Sequence, residues 1–417
     1  MTNSVTLNAE PSEWRQHWRV ALGATVGNGT GVALYTYISS LFIPSLQAEF
    51  GWSRGEIATA QGIGCVGVLA APFVGRAIDR FGVRVMSTIG ALMIGALYLG
   101  YASLSGSLVT LTFLMAGMLI AAPANSGPVF AKTLTGWFVK NRGLALGLTA
   151  CGIPLLAMVA PFALHYVISD YGWRAGYLSL GGLVVIVGLP IVLATLREPP
   201  GEADLDGGVT ADTGPTLRDA ARTRAFWLLL AAVIFCTAPA QGFLSQLTPL
   251  VTDNGFTTAD AALFLSLYSG AVVIGRVGTG VLLDRLPPYH VAFAVTLVPA
   301  IGLMILIALP APDFWVAALA IAIIGIQNGG ESDILPYFIA REFGFKSYSA
   351  ISGVMFTAMF IASAFGVTLL GQVYDYSGSY NGALVAFVAF FFIAATSYFL
   401  IGARRAPRTE TFALATQ

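Results

Sequence analysis

Gly75-Arg76-Ala77-Ile78-Asp79-Arg80-Phe81-Gly82-Val83-Arg84 is the stretch on which the reading of this chain turns. It is a charged, glycine-bounded turn between two long apolar runs, and a partial copy, Gly280-Val281-Leu282-Leu283-Asp284-Arg285, follows 205 residues later. The same interval links Pro44 to Pro249, Asp170 to Asp375 and Tyr171 to Tyr376. One constant offset, held by residues spread over most of the chain, points to a duplicated unit with the charged turn in the same place in each copy.

Outward from the two turns, the sequence divides into runs long enough for a helix to cross a bilayer, which takes about 20 apolar residues. They lie near 20–43, 57–75, 85–104, 107–131, 143–168, 175–196, 225–250, 261–282, 289–310, 314–338, 348–371 and 380–402. Hydrophobic residues make up 56% of the 417 and charged residues only 10%, against about a quarter charged in a soluble domain. The short alternating segments of a membrane barrel are absent. The expected fold is therefore an all-α integral membrane protein, with twelve transmembrane helices in two six-helix bundles.

The expected organisation is a cytoplasmic N-terminal segment at 1–19, a first bundle at 20–196, a linker at 197–224, a second bundle at 225–402 and a tail at 403–417. The linker is rich in Gly, Pro, Asp and Glu, which fits a connection outside the membrane. Met1 to Trp18 lacks the basic n-region and cleavage site of a signal peptide, so the first span is expected to remain. With the N-terminus inside, eighteen of the 21 basic residues fall in inner segments, Lys140, Arg404, Arg405 and Arg408 among them, and only Arg54 and Arg174 in outer ones. The excess of cations on one side places both termini in the cytoplasm and the protein in the cell's inner (plasma) membrane.

Composition also excludes several function classes. A net charge of zero gives no reason to expect a nucleic-acid partner, and no P-loop appears, so ATP is not expected to drive the protein. Cys65, Cys151 and Cys236 sit singly in apolar spans and share no ligand spacing, so no metal site or cofactor is expected. The linker is too short for a signalling domain, and no pair of His and acidic ligands in the spans suggests an intramembrane enzyme. Two parallel six-helix repeats with a ligand near the midplane describe a carrier working by alternating access.

The decapeptide at Gly75 resembles the loop signature of the major facilitator superfamily, and the copy at Gly280 sits in the matching place. The resemblance implies gating and structural roles for Gly75, Asp79, Arg80, Gly82, Arg84, Gly280, Asp284 and Arg285, with Asp and Arg pairing across helix ends. Phe50-Gly51-Trp52-Ser53-Arg54, Trp137 through Ala145 and Tyr171-Gly172-Trp173-Arg174 look like the monocarboxylate and oxalate/formate branch of that superfamily. A wider group of organic-acid carriers shares the look of Gly329-Gly330-Glu331-Ser332-Asp333.

Three ionisable residues lie inside spans, where each costs roughly 2.5–3.5 kcal/mol on insertion scales and is a functional candidate by default. Arg276 is in span 8, and Glu331 and Asp333 are in span 10, all about 12–15 Å from the inner rim at 1.5 Å per residue. Residues two apart on a helix point roughly 200° away from each other, so one acid faces the cavity and the other a neighbouring helix. Gly329 and Gly330 offer a way to loosen that helix. A planar, permanently charged guanidinium suits a substrate carboxylate, and the branch resemblance implies that role for an arginine of span 8. The animal members also carry an acid one turn earlier, where this chain has Val272, which leaves Glu331 and Asp333 as the expected proton carriers. The bland alternative is a permanent ion pair within the second half.

Tyr35, Asn125, Gln241 and Asn328 are further candidates for substrate contact, each also explicable as helix-packing polarity. Gly143 with Gly147, and Gly176 with Gly181 and Gly182, read as close helix packing. The expected function is a proton-coupled secondary carrier of small organic anions, monocarboxylates or aromatic acids. The competing expectation is export of a lipophilic drug or metabolite on the same fold.

Overall fold

The structure, a computed structural model, describes residues 13–138, 141–197, 215–309, 312–344 and 346–402, except for the side chains of Asp79, Arg142 and Ser349. Lys140, Arg404, Arg405 and Arg408, counted above as inner cations, lie outside the described residues, as do 198–214 of the expected linker. Every regular element among the described residues is helical.

Ten helical stretches are long and apolar enough to cross a bilayer. One of them, Gly143–Thr195, has 53 residues, about 80 Å of helix at 1.5 Å per residue and so twice what one crossing needs. Gly172 breaks it, taking a φ of 82° that only glycine adopts readily, and separates span 5 from span 6. Span 1 is assembled from Glu13–Gly29, Ala33–Ile38 and the tighter turn Ser39–Phe42, interrupted at Thr30, Gly31 and Val32. With these two corrections to a length-based count, the chain crosses twelve times.

The other passes are span 2 (Arg54–Ile78), span 3 (Val83–Ala102), span 4 (Leu108–Trp137), span 7 (Arg224–Ser245), span 8 (Thr258–Arg285), span 9 (Pro288–Ala308), span 10 (Phe314–Phe343), span 11 (Ala350–Ser377) and span 12 (Asn381–Gly402). The duplication shows in how helices begin. Ser53 and Glu56 form a reciprocal capping box at the start of span 2, and Thr257 and Asp260 form its counterpart at the start of span 8. Each satisfies two orphan backbone donors. Gly51 and Gly255 turn the chain just before these caps with φ of 69° and 88°, and Gly172 and Gly378 do the same after spans 5 and 11.

Spans 2, 4, 6, 8 and 10 end on a face that carries Arg76, Arg80, Arg84, Arg197, Arg285 and Arg341, called the basic face below. The halves meet chiefly along span 2 against span 11 and span 5 against span 8. Towards the opposite face these seams are tight. An added Cβ at Gly371 would sit 2.6 Å from that of Ala58, and one at Gly62 would strike Thr368. Towards the basic face they part, and an added Cβ at Gly75, Gly143, Gly147, Gly278, Gly280 or Gly353 would meet nothing within 4 Å.

Two expectations about glycine need correcting. Gly143 and Gly147 are not helix-packing positions, since nothing approaches them, whereas Gly176 is packed against Ile168 and Phe42 and Gly181 against Tyr98. Gly329 and Gly330 do not loosen span 10, which runs unbroken from Phe314 to Phe343. They bring it close to its neighbours instead: Gly329 lies against the carbonyl of Val272 and the amide of Arg276, and Gly275 against the carbonyl of Ile326. Spans 8 and 10 are thus seated backbone to backbone, as small residues permit in membrane bundles.

Candidate functional site

That backbone contact fixes where the second-half charges point. Arg276 Nε lies 4.0 Å from Asp333 Oδ2, with the two side chains 19% and 38% exposed. This is the outer limit of an ion pair and too long for a hydrogen bond. Nε of Arg276 is buried with no hydrogen-bond partner. Arg276 is partly buried and the protein does not take up its fork, so a charged donor is left unmet, which costs more than a neutral one. Span 8, which carries Arg276, packs against span 5 of the first half, so the group lies on an element of the seam between the halves.

Glu331 points elsewhere, as the two-residue offset requires. It is only 9% exposed and accepts hydrogen bonds from Thr237 Oγ1 at 2.9 Å and Gln327 Nε2 at 3.0 Å. Its partners are neutral, drawn from span 7 and from one turn earlier on span 10, and Gln327 Nε2 also reaches Cys236 Sγ at 2.7 Å. Oε1 of Gln327 and the hydroxyl of Tyr398 are buried without partners. Asp333 therefore shares a site with Arg276, while Glu331 is held inside the second half.

The remaining candidates divide into two groups. Asn328 donates to the Tyr268 hydroxyl at 2.9 Å, and the Tyr268 ring lies edge-on to Tyr37 with centroids 6.2 Å apart. This pair bridges the halves beside Arg276. Tyr35 and Gln241 line one small cavity between the halves, about 50 Å³, together with Gln61, Cys65, Ser245 and Ser363, enough room for a few water molecules. Tyr35 is also part of a buried aromatic cluster with Tyr98, Tyr101 and Tyr177. Asn125 donates to the carbonyl of Ser87 at 3.2 Å, and Ser87 donates to that of Ala124 at 2.9 Å. Asn125 thus ties span 4 to span 3, away from Arg276.

Among the turn residues, Gly82 takes a φ of 83°, and Arg84 donates to the carbonyl of Leu193 at 2.7 Å, which caps the end of span 6. Arg80, Asp284 and Arg285 are exposed and make no ion pair among the described residues. The Asp79 side chain lies outside the described residues. Gly75 and Gly280 border the parted seam.

A second constellation closes the opposite face, built from charges at the ends of spans rather than inside them. Arg54 Nη2 donates to Asp253 Oδ1 at 2.8 Å and Nη1 to Tyr380 at 2.9 Å, while its guanidinium lies 3.9 Å from the centre of the Tyr374 ring. The Gly55 amide donates to Asp375 Oδ2 at 2.9 Å, Gln372 to Thr59 at 2.9 Å, and Ser40 pairs with Thr248 at 3.0 Å. All of these cross between the halves. The sequence signal was available in outline, since Asp253 and Asp375 each lie a few residues before a turn-forming glycine, facing the cap of span 2. Within the first half, Glu49 accepts from Trp173 Nε1 at 2.6 Å and from Arg174 at 2.9 Å, which explains the Trp-Arg pair after Gly172.

Twelve spans in two repeated halves, joined at one face and parted at the other, form the architecture of an alternating-access membrane transporter. The sequence model of the Major Facilitator Superfamily matches residues 25–367, and the chain belongs to that family. It is 26% identical over 394 residues to an MFS-type transporter of Gibberella moniliformis, covering 92% of this chain and 89% of that one. Monocarboxylate transporter 4 of Rattus norvegicus is 24% identical, with 94% of this chain and 85% of the relative covered. A solved D-xylose–proton symporter shares the fold, with a TM-score of 0.75 over 94% of this chain and 98% of its own at 16% identity.

Proposed function

We propose that this protein is a secondary carrier of small organic anions, monocarboxylates or aromatic acids, coupled to protons and working by rocking of 20–196 against 225–402. The observation that carries the reading is the partly buried Arg276, whose buried Nε has no partner and whose ion-pair distance to Asp333 is 4.0 Å. A substrate carboxylate would take up the guanidinium fork, with Asn328 and the Tyr37–Tyr268 pair beside it and Tyr35 and Gln241 lining the path towards the opposite face. Asp333 supplies the coupling. Ionised, it competes with the substrate for Arg276; protonated, it withdraws, so that proton and carboxylate favour each other's binding as linkage requires. Glu331, held by neutral donors alone, is the second proton site. The relationship to a monocarboxylate transporter supports the substrate class. The basic face is taken as cytoplasmic in a plasma membrane by the positive-inside rule.

The test is uptake of labelled carboxylates into proteoliposomes under an inward proton gradient. Accumulation is expected for the parent, and Arg276→Ala should lower the rate roughly tenfold to a hundredfold, as loss of a charged hydrogen-bonding partner does. No accumulation of any carboxylate, with Arg276→Ala indistinguishable from the parent in substrate binding, would sink the reading. One observation favours the alternative, export of a lipophilic compound. An apolar groove of about 870 Å³ runs between spans 2, 7 and 11, lined by Leu69, Ile234, Phe356, Phe360 and Phe365. Resistance profiling of a deletion strain separates the two.

A further inference from the structure

Away from the seam, a second cavity of about 350 Å³ opens on the basic face where span 1 begins and spans 4 and 6 end. Arg15, Arg19 and Arg197 line it together with His17, Trp18 and Trp137, and no Asp or Glu lines it among the described residues. The nearby Glu13 is engaged with the Asn141 amides instead. The walls are fixed by the protein: Trp137 Nε1 donates to the carbonyl of Arg197 at 3.0 Å, and the His17 ring lies 4.8 Å from that of Trp137.

Arg15, Trp18, Arg19 and Leu22 fall at i, i+3, i+4 and i+7 of one helix and so form a single stripe. Like charges at i and i+4 repel, and none of the three guanidinium groups has an acidic partner among the described residues. Along the stripe the exposed Trp18 sits between the two cations and an exposed Leu22 follows one turn below Trp18, with Leu193 of span 6 also exposed near Arg197 in sequence. Cations and tryptophan together at the interface level, with leucine below them, match a phospholipid read from headgroup to acyl chain.

We infer that this pocket binds the headgroup of an anionic phospholipid from the leaflet that the basic face meets. The phosphodiester lies between Arg15, Arg19 and Arg197, where guanidinium forks can hold it bidentately. The acyl chains run down past Trp18, Leu22 and Leu193. A free phosphate would use the cations and leave the apolar lane idle, which is why a lipid is the better occupant. Since the pocket joins spans 1, 4 and 6, its occupant clamps the basic-face end of the first half. The assignment is independent of what the carrier transports.

The test uses the full-length protein, delipidated in neutral detergent, with thermal unfolding followed against added phosphatidylglycerol, phosphatidylcholine and soluble glycerol 3-phosphate. Binding to the folded state alone raises apparent stability. Phosphatidylglycerol is expected to act at concentrations on the order of tenfold lower than phosphatidylcholine, and glycerol 3-phosphate to have little effect. The preference should vanish in a combined Arg15→Gln, Arg19→Gln, Arg197→Gln variant and persist when the exposed Arg218, Arg222 and Arg224 are changed to Gln instead. Equal action of the two lipids overturns the proposal. So does full stabilisation by glycerol 3-phosphate, which makes the pocket a free-anion site, or equal loss in both variants, which makes the effect general surface charge. Should the first variant not fold, quenching of parent tryptophan fluorescence in nanodiscs decides the matter. Brominated phosphatidylglycerol must then quench more than brominated phosphatidylcholine, with the excess falling as salt rises.

Discussion

Arg276 on span 8 and Asp333 on span 10 stand 4.0 Å apart, and the chemistry proposed for the protein rests on their being so loosely paired. Asp333→Asn removes the competing charge while leaving Arg276 in place. The expected outcome is substrate binding that no longer strengthens as pH falls, with exchange retained and gradient-driven accumulation lost; binding measured at several pH values, beside counterflow, checks it. The pair was legible in the sequence because lone charges in apolar spans are rare and costly. Which acid would meet the arginine was not, although the two-residue offset required a choice. That choice depends on Thr237 and Cys236, which reach Glu331 and Gln327 from 94 and 91 residues away, and no periodicity within one span encodes a partner on another. Arg54 escaped for a related reason, since it lies just outside an apolar run and its partners flank two turns of the other half.

Helices report their neighbours through glycine. Gly329→Ala forces a Cβ towards the Val272 carbonyl and to 2.8 Å from the Arg276 amide, so it should destabilise the protein by about 1–3 kcal/mol, the usual range for overpacking. Gly353→Ala meets open space and gains helix propensity, so its unfolding temperature should stay level or rise, while transport slows if that seam must close. Thermal unfolding and initial uptake rates of the two variants distinguish these outcomes. Span boundaries and the duplicated frame followed from apolar length and constant spacing. The packing assignments did not, because Gly143 and Gly329 look alike in sequence and differ only in what another helix brings opposite them. The loop-proximal elements also carry an acid sensitivity. Hydrogen bonds from Arg174 and then Trp173 hold the Glu49 carboxyl below the usual carboxylate range. That stabilisation is present above the ordinary carboxylate value and fades as pH falls through the lowered one. The parent should therefore lose unfolding temperature on acidification, and Glu49→Gln should blunt the slope.

At the scale of the whole molecule, the halves are joined at one face and separated at the other, and Arg54 holds much of that asymmetry. Arg54→Ala deletes the ion pair with Asp253, the bond to Tyr380 and the contact with Tyr374. A charged hydrogen bond is worth roughly 1.5–3 kcal/mol, so the population closed at the opposite face should fall by about tenfold or more. Distances between spin labels on spans 2 and 11, read near that face, are expected to lengthen; an unchanged distribution would show that the seal lies elsewhere.

The Arg54 seal has a kinetic consequence for a carrier of this build. With its firm contacts gathered at one end, the empty protein of the proposed cycle would rest in one orientation and break them on each return. On the proposed cycle, one-for-one barter of internal for external solute should outrun one-way flow, because it omits the unladen stroke, and Arg54→Ala should narrow that gap.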